Sequence, residues 1–200
     1  MPSDVVSTLL AITAWAAVGA GDPPCAHNAE ALLALDFAAF DQTEGSGWRP
    51  LYKAGCYVEA AELLREYRKR RSDEIDGIIP FHEAQMWAYA GETEQALPLF
   101  EQSFRTDGAF SAVAWNLYVH GNIAFLRRNR SGLDGAAAAL AALPKPAGWD
   151  NAVGVDGKRF SLPWPMNLNV LEAMQRCWDE THEVAAHCHL ADWRKPRPAE

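Results

Sequence analysis

Apolar positions recur every three to four residues along most of this chain, and strand-like alternation is nearly absent. Across residues 28–41, Leu32, Leu33, Leu35, Phe37 and Phe40 form one broad stripe, which predicts a first helix broken by Glu44-Gly45-Ser46-Gly47. A short second helix is expected over about 48–54, turning at Gly55. A third follows over about 58–70, with Ala60, Leu63, Leu64 and Tyr67 on one face. The plan then repeats. A helix over 78–90 turns at Gly91 into another over about 93–104, which carries Ala96, Leu97, Phe100 and Phe104 and takes Pro98 near its first turn. A third pass runs over about 112–128, turns around 129–131 and continues over 133–143 until Pro144 stops it. Residues 144–166 are rich in Pro, Gly, Asp and Trp and cannot be helical. Trp149, Phe160 and Trp164 make this either a packed loop or a functional one. The C-terminal segment 167–190 opens with a helix carrying Leu168, Val170, Leu171, Met174 and Trp178, placed to cap the open end of a helical array.

Aligning the turns exposes an internal repeat. Gly55-x-Tyr57-x-x-Ala60-x-x-x-Leu64 matches Gly91-x-Thr93-x-x-Ala96-x-x-x-Phe100 at a separation of 36 residues. Ala84 stands seven before Gly91, and Gly121 seven before Arg128, where small residues let two helices approach closely. This pattern resembles the tetratricopeptide repeat (TPR), over about half the chain, with passes at about 45–71, 75–106 and 112–143. The repeats are degenerate. Trp48 stands where a small residue is usual, Leu133 replaces alanine in the third pass, and the spacing exceeds the family's. The resemblance implies an all-α fold over 21–200, with antiparallel helix pairs stacked as a short right-handed α-solenoid and a C-terminal capping helix.

It also implies a binding surface. In such arrays the residue after the small crossing position of each first helix points into a concave groove, which here selects Arg49, Gln85 and Asn122. Tyr52, Lys53, Tyr89, Trp115 and Tyr118 join them from neighbouring positions. A groove lined by amides and aromatic rings implies a protein or peptide partner. The alternative is that the C-terminal segment or the long loop fills the groove, leaving a structural component of an envelope assembly. The set does not reproduce the lysine and asparagine clamp that some family members use for C-terminal peptides.

Composition narrows the choice. Two hundred residues, 49% hydrophobic and 22% charged, suit one core-forming domain. A net charge of -8 argues against a nucleic-acid partner, which rewards a basic face. The basic runs at 68–71 and at Arg127, Arg128 and Arg130 fall at expected helix ends, where cations complement the helix dipole.

Residues 5–20 carry no charge, and the small residues Val18 and Ala20 precede a Pro-bearing break. Residues 1–20 therefore read as a secretory signal peptide cleaved after Ala20, which places the protein in the periplasm or outside the cell. Met1-Pro2-Ser3-Asp4 lacks the usual Lys or Arg. That leaves open an upstream start, or an attached amphipathic helix on a cytoplasmic protein. The apolar run is shorter than the ~20 residues a bilayer span needs, so no permanent membrane span is expected.

Four cysteines form an even set suited to an oxidising compartment, and none has metal-ligand spacing. Cys25 precedes the first helix and Cys56 follows the second, which should run back beside it; Cys177 and Cys188 flank a turn near 179–181. The expected pairs are Cys25 with Cys56 and Cys177 with Cys188, against the alternative of four free thiols.

Catalytic signals fail on geometry. His182-Glu183-x-x-x-His187 places its histidines five apart, about 140° out of line on a helix, where a zinc protease motif needs four. His182, His187, Cys188 and His189 keep a metal-binding or enzymatic reading as the weakest alternative. His82-Glu83 has no second histidine nearby and reads as a partly exposed structural pair. Gly132-Leu133-Asp134-Gly135 lacks the lysine and strand of a phosphate loop. The expectation is a non-enzymatic recognition module with no cofactor and no metal.

Overall fold

The computed structural model describes residues 25–71, 77–106, 110–151 and 163–190; residues 1–20, expected to be a signal peptide, and Phe160 lie outside them. The helices are α1 (Ala29–Leu33), α2 (Arg49–Lys53), α3 (Tyr57–Arg70), α4 (Ile78–Tyr89), α5 (Thr93–Gln102), α6 (Phe110–Leu126), α7 (Arg130–Ala141), α8 (Leu168–Arg176) and α9 (His182–His187). A π-helical turn, Ala38–Gln42, and a 3-10 turn, Trp149–Asn151, complete the regular structure. Among the described residues there is no strand, so the fold is all-α.

The helix expected over 28–41 is in fact two pieces. Asn28 caps α1 by accepting from the Ala31 amide, and Asp36 accepts from the Ala39 amide at 2.8 Å. A short acceptor side chain that satisfies backbone N–H groups starts a new helical segment, and this competes with continuation through Leu35. The same chemistry starts α7 at Arg130 and not at Leu133, because Asn129 accepts from the Gly132 amide at 3.0 Å.

One turn geometry recurs three times. Gly55, Gly91 and Arg128 adopt left-handed backbone, with φ of 77°, 85° and 54°. The residue after each, Cys56, Glu92 and Asn129, returns its amide to Leu51, Trp87 and Ala124 at 2.9, 2.9 and 2.8 Å. This is the bond from the residue beyond a left-handed helix cap to a carbonyl in the last helical turn, and glycine is its least strained occupant. Arg128 takes the position without glycine's freedom and offsets the cost with its side chain. Its guanidinium donates to the Trp178 carbonyl at 2.7 Å and lies 4.6 Å from the centre of the Trp178 ring.

Each turn joins two helices that pack together, α2 with α3, α4 with α5 and α6 with α7, and α8 pairs with α9. Helix α4 is central: it touches α3, α5 and α9, and nine of its twelve residues are buried. Its Phe81 packs edge-on against Phe100 of α5 at 5.1 Å and beside Trp115 and Tyr118 of α6. At the N-terminal end Phe40 stacks on Tyr67 at 3.7 Å. The small residue Gly121 serves an approach to α8: a side chain there would meet the Leu171 methyls.

The basic runs are held by internal partners. Arg68 binds the buried Glu83, Arg70 binds Glu30, Arg127 binds Glu101 and Arg130 binds Asp134. The long loop is packed where described, with Trp149 and Trp164 edge-on at 4.7 Å and the Trp164 indole donating to the Leu143 carbonyl. Cys25 joins Cys56 with Cα atoms 5.6 Å apart, and Cys177 joins Cys188 at 6.4 Å, both ordinary separations. No helix among the described residues is long and apolar enough to cross a membrane.

Candidate functional site

Of the residues selected from the sequence, Tyr52, Tyr89 and Asn122 meet α9. Asn122 of α6 is fully buried. Its Nδ2 donates to the Tyr118 carbonyl at 2.9 Å, so its Oδ1 is left to accept from His182 Nε2 at 3.0 Å. That bond fixes the His182 tautomer with the proton on Nε2, and its buried Nδ1 has no hydrogen-bond partner. Burial, aided by the nearby His187, pushes the His182 pKa down to about 3, so the ring is neutral.

Helix α9 meets two more side chains of the array. His187 Nδ1 lies 2.7 Å from the Glu183 carbonyl, which can only accept, and its Nε2 lies 2.9 Å from the Tyr52 hydroxyl. Tyr57 donates its hydroxyl to the Glu183 carboxylate. Tyr89 lies between the two histidines, 5.6 Å from the His182 ring and 5.4 Å from the His187 ring. Burial holds the Tyr89 hydroxyl well above the ordinary tyrosine range, with the nearby phenols and Glu183 adding to it, and pushes Tyr118 up to about 12. Both stay protonated and neutral.

The other selected residues surround this centre without joining it. Gln85 donates to the Tyr89 hydroxyl at 3.0 Å, and Trp115 donates its indole N–H to the Ser103 carbonyl at 2.7 Å. Arg49 is half-buried: its Nε donates to the Asp41 carbonyl at 2.7 Å and its guanidinium covers the Trp48 ring at 4.8 Å. Lys53 is exposed and pairs with Glu44. Thus Arg49, Gln85 and Asn122 form no shared polar row, each being bonded within its own neighbourhood.

Sequence reasoning missed the α9 half of this surface. His182, Glu183 and His187 invite comparison with zinc ligand spacing, whereas their role is to face Asn122, Tyr57 and Tyr52. It also missed Asp41. This carboxylate is fully buried, and its Oδ1 accepts from Trp48 Nε1 at 3.0 Å and from His82 Nδ1 at 2.7 Å, while Gln42 donates to Oδ2. Burial would raise the Asp41 pKa, but the His82 hydrogen bond and charge, the Trp48 indole and Arg49 together outweigh it and hold it below the carboxylate range. His82 and Glu83 are not one exposed pair: His82 serves Asp41, and the buried Glu83 takes a forked bond from Arg68 at 2.7 and 3.3 Å.

Cys25, Cys56 and Glu59 come close enough to suggest a metal site, yet the two sulfurs are bonded to each other and offer no thiolate. A cavity of about 380 Å³ lies beside this disulfide, walled by Leu32, Pro50 and Leu51, and one of about 340 Å³ lies between α6 and α7. In comparisons with known proteins, no family model, curated protein or solved structure matches the chain.

Proposed function

We infer that this chain is a non-enzymatic, TPR-like module that recognises a helical segment of a protein or peptide through the face α9 occupies. The observation that carries this reading is that Tyr52, Tyr57 and Asn122, from three different helices, each bind a different side chain of one short helix. Such a surface offers a partner helix both the rings and the directional donors that it gives to α9. The thrice-repeated turn and the helix pairs support a short right-handed α-solenoid closed by α8 and α9. Both cysteine pairs support an oxidising location, periplasmic or secreted, with residues 1–20 as the cleaved leader.

The burial of Asn122 and His182 favours a second reading, a structural component whose groove is permanently filled by its own C-terminal helix. A photo-crosslinking residue placed at Gln85, beside Tyr89, distinguishes the two. Under the recognition reading it gives a discrete adduct in the native host's extracytoplasmic fraction, and the same residue at exposed Glu94 on α5 gives none. Absence of adducts from both positions, or equal labelling from both, overturns recognition through this face and leaves the structural reading.

A further inference from the structure

Two features single out the C-terminal disulfide. Both of its members, Cys177 and Cys188, are partly exposed, whereas in the other pair only Cys25 is and Cys56 is 3% exposed. Cys177 immediately follows α8 and Cys188 immediately follows α9, so the bond joins residues eleven apart in sequence and closes a loop that contains the whole of α9.

Helix α9 has only six residues, far below the length at which a helix persists in water by its own hydrogen bonds. What holds it is the Thr181 cap, the burial of Ala185 and Ala186, its three side-chain bonds to the array, and this loop. The loop closure acts by confining α9 near the inner face. It raises the local concentration of α9 over that face, so cutting it weakens docking while leaving the docking surface intact.

We propose that Cys177–Cys188 is a reducible clasp that keeps α9 over the inner face, and that a dithiol reductant opens the clasp and lets α9 leave. The chemistry is ordinary exchange. A thiolate of the dithiol attacks one sulfur, the other cysteine leaves as a thiolate and takes up a proton, and the second thiol of the reductant resolves the mixed disulfide. Two electrons pass to the cysteines, which end as two thiols, and the reductant ends as a disulfide. Cys25–Cys56, with Cys56 buried at the α2–α3 turn, remains closed under the same treatment.

The clasp gives the proposed recognition face a closed and an open state, and in that sense it rests on the recognition reading. Its test needs no partner. In the full-length protein under graded dithiothreitol, alkylation mapping is expected to show Cys177 and Cys188 reduced before Cys25 and Cys56. Hydrogen exchange at the α9 amides is expected to quicken at least tenfold at that point, while α3, α4 and α5 keep their protection. The Cys177→Ser, Cys188→Ser variant should reproduce the fast α9 exchange without reductant. Unchanged α9 exchange, prior reduction of Cys25–Cys56, or a uniform loss of protection over all helices would overturn the clasp. None of these results depends on the Gln85 crosslink, so the two ideas fail separately.

Discussion

Asn122 and His182, sixty residues apart in sequence, share a buried 3.0 Å hydrogen bond that fixes the imidazole tautomer and ties α9 to α6. Replacing Asn122 with alanine strands the Nε2–H of His182 beside a ring nitrogen that already lacks a partner. The expected loss is about 1–3 kcal/mol in urea denaturation, because a buried donor left unsatisfied costs its full desolvation. A loss under ~0.5 kcal/mol would mean that the bond contributes nothing.

Acid should act through the same residue. The folded-state pKa of His182 is about 3, below its ordinary value of 6.5, so the folded protein favours the neutral ring. The associated stability is fully present above pH 6.5 and is lost as pH falls from there towards 3, at up to about 1.4 kcal/mol per unit. Between pH 6.5 and 4.5 Asp41 adds little, because its depressed pKa removes stability only at lower pH. Denaturation curves over that window should be steeper in pH for the native chain than for His182→Leu. Parallel curves would place the charging elsewhere.

The Asp41 centre predicts a large effect from a residue with no exposed surface. Asp41→Ala leaves the Trp48 indole and His82 Nδ1 without their shared acceptor, between the π-helical turn and α4. A loss of about 3 kcal/mol is expected from thermal or urea unfolding. By contrast, Lys53→Ala removes only an exposed pair with Glu44 and should change stability by less than ~0.5 kcal/mol.

Gly47 has φ of 57° and its missing side chain would point into the Phe40 backbone. Gly47→Ala therefore combines left-handed strain with a backbone clash, and should destabilise by at least ~2 kcal/mol. Gly45→Ala is the control. It has open space around it and bears only the cost of its positive φ, so a scan of melting temperatures should rank Gly47→Ala lower.

The cysteine pairing is open to a direct check. Non-reducing peptide mapping of the protein purified from its native host should recover Cys25 linked to Cys56 and Cys177 linked to Cys188. Replacing Cys25 and Cys56 together by serine should cost about 2–4 kcal/mol through the freed unfolded chain. A Cys25 to Cys177 link would be incompatible with this packing.

What the sequence determined by itself is local. Apolar spacing set the helices and glycines at 55 and 91 set two turns, while the third, expected around 129–131, has its left-handed residue earlier, at Arg128. The cysteine pairs followed from helix order, since residues at neighbouring helix ends must lie close. Helix boundaries failed where a side chain competed with the backbone, as Asp36 and Asn129 do, because the apolar stripe carries no sign of that competition. The tertiary structure alone decided which polar groups lose water together. Asp41 meets His82 and Trp48, and α9 brings His182 to Asn122, only after helices distant in sequence have packed. Spacing along a helix reports which side chains share a face. It does not report what covers that face, because the covering is set by the free energy of burying polar groups with partners, summed over the whole array.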